Sequence, residues 1–189
     1  FIMDSLKLEG GVLLPHASVR YVTYGHLNER GDNAILLPSH YMADGHGYEW
    51  LIGKDKALDP ERYFLIATEL FGNGRSSSPS NTPAPWNGPR FPNVTAYDNV
   101  RAQRRLVTEH FGIEKLVLVT GWSMGALQTY HWASMYPDMV PRILPFQGSA
   151  KCSRHNYVFL EGAKAALSAF DYLIRSPAPV ESAVEVEAA

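Results

Sequence analysis

The sequence predicts an α/β fold: a mostly parallel sheet with helices on both faces. Ala34–Pro38 and Arg62–Leu70 are apolar runs without a polar face, as in strands covered on both sides. Stretches with helical spacing lie between such runs, and this alternation is typical of a parallel sheet. With 189 residues, 46% of them hydrophobic, the chain can bury the core of one globular domain.

Three further segments are predicted strands. Ser18–Leu27 alternates aromatic and β-branched residues, as a half-exposed strand does. Lys115–Thr120 is another continuous apolar run, and Arg142–Gln147 is a weaker one that Pro145 interrupts. Together with the two runs above, these segments supply the sheet.

Helices are predicted in the gaps. The first begins at Thr95, where Asp98 stands three residues after a capping side chain, and it ends at Gly112. A second runs from Ser123 to Tyr136 and a third covers Tyr157–Phe170.

Two segments are poor in apolar periodicity. Phe71–Pro92 is rich in Gly, Pro, Ser and Asn and directly follows a buried strand, a position that favours a ligand site over a mobile linker. Residues 176–189 are rich in Pro, Ala and Glu, and we expect a disordered tail there. The predicted organisation is therefore a core over 1–175 and a tail over 176–189.

The charge pattern excludes several partner classes. The formal net charge is −2 and Lys and Arg are scattered, which argues against nucleic acid and anionic membranes as partners.

No apolar stretch reaches the roughly 20 residues of a membrane span, and the first residues do not resemble a secretion signal. Cys152 is the only cysteine, so no internal disulfide can form. We expect a soluble, cytoplasmic protein.

The segment with the clearest chemistry is Gly121-Trp122-Ser123-Met124-Gly125. A strand that enters a sharp G-x-S-x-G turn and continues as a helix is the nucleophile elbow of serine-dependent acyl transfer. Ser123 is then the nucleophile, and the amide of Met124 at the helix N-terminus is an oxyanion donor. The alternative is that Ser123 only caps a helix.

A second oxyanion donor is expected from the loop 38–50, which follows a buried strand. The amide of Tyr41 or of Met42 is the candidate. The alternative is an ordinary solvated loop, in which the four polar side chains have no catalytic role: His40, Asp44, His46 and Glu49. Their spacing does not resemble a zinc site, and we expect no metal.

Several blocks together resemble one family. They are "EWLIGKDKALDPERYFLI", "FGNGRSSSPSNTP", "YDNVRAQRRLVTEHFGIEKLVLVTGWSMGALQ", "YPDMV" and "HNYVFLEGAKAAL". In this order they are similar to the homoserine O-acetyltransferase family of α/β-hydrolases, especially its hydrolase-like branch, over about Leu6 to Phe170. Characterised acetyltransferases of the family differ at Phe71–Ser78 and carry glycine at the position of Ala126, which argues against homoserine as the substrate.

The resemblance implies an acyl-enzyme mechanism without a cofactor, acting on a small ester or an acyl-CoA, with acetyl-CoA among the acyl donors. It implies Ser123 as nucleophile and an oxyanion hole formed by the amides of Met124 and Tyr41. It also implies that the acid and histidine of the triad follow a helical lid that begins near Phe159, beyond the last residue of this chain. We therefore expect the N-terminal part of such an enzyme.

A serine nucleophile needs a general base, and the histidines of the chain offer few. His131 lies eight residues along the same predicted helix, about 12 Å away at 1.5 Å per residue, too far to reach the hydroxyl. His155, His40 and His46 remain as surrogate bases.

Two expectations depend on the missing base and strands. One is a catalytically inert protein that acts by binding. The other is self-association, or association with a complementary chain, because the last parallel strand would have an unpaired edge.

Overall fold

A computed structural model describes residues 1–175 of the chain. By their internal contacts the residues divide into two units, Phe1–Ala150 and a second that starts at Lys151. The tail predicted over 176–189 lies outside the described residues. Within residues 1–175, no helix has both the length and the apolar character that a membrane span requires.

The first unit contains seven strands. β1 (Ser5–Lys7) and β2 (Leu13–Pro15) form an antiparallel pair that the sequence did not predict. A second sheet has the order β3-β5-β4-β6-β7. Its strands are β3 (Tyr21–Tyr24), β4 (Ala34–Pro38), β5 (Phe64–Thr68), β6 (Leu118–Trp122) and β7 (Ile143–Phe146).

Only β3 departs from the parallel direction in this sheet. It pairs antiparallel with β5, whereas β4, β5, β6 and β7 pair parallel to one another. Pro145 lies inside β7, where an edge strand tolerates a residue without an N–H. The sheet is thus mostly parallel, as the sequence predicts.

The two apolar faces of β4 and β5 explain why these strands are apolar except at Thr68. Ile35 and Leu65 belong to one buried cluster, while Leu36 and Ile66 belong to another. Side chains of a strand alternate between the faces of a sheet, so both faces of these strands are covered.

Two helices of the first unit have the predicted positions. α1 (Ala96–Arg105) begins with a capping box, in which Thr95 and Asp98 exchange side-chain and main-chain hydrogen bonds. A π-helical turn, Leu106–His110, extends α1 towards Gly112, where φ is 65°. α2 spans Met124–Met135.

The second unit contains one described helix. α3 spans Arg154–Arg175 and is longer at both ends than the predicted Tyr157–Phe170.

Candidate active site

The parallel strands bring three loops to one edge of the sheet. The loop after β4 begins at Ser39, the loop after β5 begins at Glu69, and β6 ends directly before Ser123. Ligands of parallel α/β sheets bind at this carboxyl edge. The predicted site segments therefore meet at the end of the sheet where a ligand site is expected.

Ser123 has the backbone conformation of a nucleophile elbow. Its φ is 54° and its ψ is −115°, between the last residue of β6 and the first of α2. Its amide donates to the carbonyl of Phe146 at 3.1 Å, and its side chain does not cap α2. Ser123 is therefore not an ordinary helix cap.

Both glycines of the motif are required by close backbone contact. A Cβ on Gly121 would lie 2.3 Å from the carbonyl oxygen of Gly125. A Cβ on Gly125 would lie 2.4 Å from the carbonyl oxygen of Pro38, at the end of β4. The turn folds so tightly that any side chain at either position would displace backbone.

The two predicted oxyanion donors line one cavity. Tyr41 and Met124 are among the residues that surround a space of about 700 Å³. Met124 is the first residue of α2, so its amide has no acceptor within the helix. Among residues 1–175, no main-chain carbonyl accepts a hydrogen bond from the main-chain amide of Tyr41. Tyr41 is followed by Met42 in a left-handed conformation, with φ of 62°.

The loop after β5 supplies another wall of the cavity. Phe71, Gly72, Asn73 and Arg75 line it, whereas three following serines are buried. The Ser76 hydroxyl accepts from the Arg20 amide, and the Ser78 hydroxyl accepts from the Gly74 amide. These hydrogen bonds hold the segment in place.

Glu69 links the loop after β4 to the loop after β5 by hydrogen bonds. Its buried carboxylate accepts a hydrogen bond from the Gly45 amide at 3.1 Å and one from the Asn73 side chain at 2.9 Å. Arg75 Nη1 lies 3.9 Å from the same carboxylate, and Arg75 Nη2 lies 3.2 Å from Asp44. Glu69 was not among the predicted site residues, although it is the first charged residue after the apolar run of β5.

His40 is the histidine that packs against the elbow. Its ring centroid lies 4.5 Å from that of Trp122, which precedes Ser123, and its Nδ1 is buried without a partner in the described residues. Burial lowers the pKa of His40 below its ordinary value of 6.5, so the ring is neutral at pH 7. A neutral imidazole can accept a proton.

His46 is held away from this role by a carboxylate. Its Nδ1 lies 2.7 Å from Glu49 Oε1, and this hydrogen bond raises the pKa of His46. The same contact lowers the pKa of Glu49, which also accepts from the Tyr24 hydroxyl at 3.0 Å.

Among residues 1–175, no group of three or more His, Cys, Asp or Glu side chains could hold a metal ion.

The two histidines that follow Ser123 in the sequence lie on helices. His131 Nδ1 is 2.9 Å from the carbonyl oxygen of Leu127, one turn earlier in α2. His155 lies in α3, in the second unit.

Known proteins with similar sequences are esterases and acetyltransferases. The chain is 46% identical over 157 residues to an ethyl acetate hydrolase from Pseudomonas veronii, with 82% of this chain and 45% of that protein covered. It is 38% identical over 181 residues to a homoserine O-acetyltransferase from Zymomonas mobilis, with coverages of 87% and 48%. The chain thus spans about half the length of the curated relatives it matches.

Two solved structures that are similar to this chain are also ester hydrolases. An acetylester hydrolase from Corynebacterium glutamicum superimposes with a TM-score of 0.88 at 39% identity, covering 92% of this chain and 50% of that one. The acetyl esterase MekB gives a TM-score of 0.87 at 43% identity, with coverages of 89% and 49%. The family model described as alpha/beta hydrolase fold matches residues 41–146, which include the elbow and the loop with Tyr41. The chain belongs to the α/β-hydrolase family.

Proposed function

We propose that this protein takes part in serine-dependent acyl transfer, with Ser123 as the nucleophile and a small acetyl ester as the acyl donor. The observation that carries the proposal is the left-handed Ser123 between β6 and α2, beside a cavity that Tyr41 and Met124 line. The esterases named above support hydrolysis because they are more similar to this chain than the acetyltransferase is.

The chemistry would proceed through an acyl-enzyme. The Ser123 oxygen attacks the ester carbonyl, and the amides of Tyr41 and Met124 stabilise the oxyanion. The alcohol leaves with the proton that came from Ser123, and water then releases the acid. An alcohol acceptor in place of water would make the protein an acyltransferase, with acetyl-CoA as a candidate donor and no bound cofactor.

Within the described residues, His40 is the best-supported base. It is neutral near pH 7, it lines the same cavity as Met124, and it packs on Trp122. His46 is less suitable because Glu49 already engages its ring.

A fluorophosphonate probe tests the nucleophile. We expect the wild-type chain to be labelled and Ser123→Ala to be unlabelled, whereas Ser168→Ala, which removes another hydroxyl, is labelled like wild type. Equal labelling of wild type and Ser123→Ala would contradict the proposal. An unlabelled wild-type chain would instead favour the inert protein that acts by binding.

Two further measurements define the reaction. Alanine variants of His40, His46 and His155 identify the base as the one whose loss abolishes labelling. Release of acetate from ethyl acetate, compared with release of CoA from acetyl-CoA with and without homoserine, separates hydrolysis from transfer.

A further inference from the structure

Tyr48 joins the end of β4 to the elbow. Its hydroxyl donates to the carbonyl oxygen of Pro38 at 2.6 Å and accepts from the amide of Trp122 at 3.0 Å. The side chain is 1% exposed, and burial raises the pKa of Tyr48 to about 12, so the hydroxyl keeps its proton. One buried hydroxyl therefore connects the residue before Ser123 with the last residue of β4.

Gln128 makes the corresponding link on the other side of Ser123. Its Nε2 donates to the carbonyl oxygen of Ser39 at 2.9 Å and to that of Met124 at 3.3 Å. The side chain is fully buried in the first turns of α2. Tyr48 and Gln128 thus bind the consecutive carbonyls of Pro38 and Ser39, where β4 passes into its loop, and the two neighbours of Ser123.

The orientation of the Gln128 amide is fixed by a chain of buried donors. Trp132 Nε1 can only donate, and it donates to Gln103 Oε1 at 2.8 Å. Gln103 Nε2 must then be the donor to Gln128 Oε1, at 2.6 Å. This leaves the Nε2 of Gln128 facing the two carbonyls, so the direction of each bond follows from the indole N–H.

Gly125 lets the bridged segments approach each other. A Cβ there would lie 2.4 Å from the Pro38 oxygen and 2.7 Å from the Tyr48 hydroxyl. The end of β4 and the start of α2 are therefore in direct backbone contact between the two bridges. Tyr41 follows two residues after Ser39, and Met124 follows two residues after Trp122.

We propose that Tyr48 and Gln128 are positioning residues that set the separation of the Tyr41 and Met124 amides, and with it the shape of the oxyanion hole. The inference rests on the proposed function, because it assigns the two amides to the oxyanion. An oxyanion donor acts only from about 2.7 to 3.1 Å, and loss of one such donor slows catalysis about 10² to 10³-fold. A small change in the separation of the two segments is therefore sufficient to slow the reaction.

The test compares Tyr48→Phe and Gln128→Met in the full chain with Thr129→Val as the matched control. Thr129 is also buried in α2, but its hydroxyl donates within the helix, to Gly125, and not to the loop after β4. Amide resonances are recorded on ¹⁵N-labelled protein, and fluorophosphonate labelling rates are compared at equal folded fraction.

We expect both bridge variants to shift the Tyr41 and Met124 amide resonances and to slow labelling of Ser123 about 10-fold or more. Thr129→Val should leave both readouts near wild type even where it costs stability, which separates positioning from general destabilisation. Either bridge variant alone decides the question if the other does not fold.

Unmoved Tyr41 and Met124 resonances in a folded bridge variant would overturn the positioning role, whether or not Ser123 reacts. Fast solvent exchange of the Trp122 amide in the wild-type chain would also overturn it, because the Tyr48 hydrogen bond would then be absent. An unlabelled wild-type chain rejects the proposed function alone, and the resonances then decide on positioning.

Discussion

Ser123 holds a strained backbone conformation at the turn between β6 and α2. A non-glycine residue with φ of 54° costs of order 1 to 3 kcal/mol and persists only where neighbours enforce it. Gly121 and Gly125 allow the tight turn, and the Phe146 carbonyl binds the Ser123 amide. The glycines and this hydrogen bond therefore hold Ser123 in its strained conformation.

Gly125→Ala tests the required close contact. The added methyl would meet the Pro38 oxygen, so we expect a loss of about 1 to 3 kcal/mol in the free energy of unfolding. Gly10→Ala is the matched control, since a Cβ at Gly10 has no atom within 4 Å. Urea unfolding measures both, and equal stability of the two variants would contradict the contact.

His40 predicts a pH dependence of stability. Burial lowers its pKa in the folded state, so the unfolded chain binds the proton first as the pH falls. The contribution of the neutral His40 ring to the free energy of unfolding is complete above about pH 6.5, the ordinary pKa of histidine. This contribution is lost as the pH falls below that value. We expect wild type to lose more stability than His40→Phe between about pH 8 and pH 5 in urea unfolding.

His46 provides a control because its pKa is shifted in the opposite direction to that of His40. Glu49 raises its pKa, so its stabilising contribution is present at low pH and is lost as the pH rises through the raised value. The His46→Gln variant should therefore differ from wild type most at acidic pH. A pH dependence of His40→Phe identical to that of wild type would reject the assignment of the neutral buried ring.

At the level of elements, the sequence was most informative where a local signal dominates. The apolar runs mark β4 and β5 because both faces are covered, and the Thr95 and Asp98 capping box marks the start of α1. The predicted bounds of β6 were less accurate. The pairing of β6 with β7 continues through Gly121 and Trp122, which pair with Pro145 and Phe146. Such pairing depends on residues distant in sequence.

The two loops at the carboxyl edge depend on one buried carboxylate, and Glu69→Gln tests this dependence. An amide keeps one acceptor oxygen but turns an N–H₂ group towards the Gly45 amide or the Asn73 side chain. We expect a loss of about 2 kcal/mol in the free energy of unfolding and a larger change in exchange of the Gly45 amide.

Glu109→Gln is the control for charge removal. Glu109 is exposed and pairs with Arg105 at 2.7 Å, so its loss should cost less than about 1 kcal/mol. If the two variants lose equal stability and the Gly45 amide exchanges as in wild type, Glu69 does not link the loops.

At the level of the whole molecule, the end of the sheet predicts association. Among the described residues, β7 pairs only with β6, and Leu144 on it is 57% exposed. An edge strand with unpaired backbone groups and apolar side chains is a template for another chain. We expect sedimentation to show self-association that rises with concentration.

Leu144→Lys should weaken this association, because a lysine on an edge strand opposes pairing. Leu13→Lys is the control, since Leu13 is also 57% exposed but lies on β2, in the other sheet. A stable, well-folded monomer of the wild-type chain, or equal effects of the two variants, would reject β7 as the contact.

The sequence by itself determined the α/β fold, the capping of α1 and the G-x-S-x-G elbow, because periodicity, capping and glycine spacing act between near neighbours. Only the tertiary structure decided what supports the elbow and the two loops beside it. Tyr48, Glu69 and Gln128 lie on three different segments, and their roles arise from hydrogen bonds to residues 10 to 89 positions away. A buried polar group is satisfied by whatever the fold brings beside it, and that partner is not encoded in any local pattern.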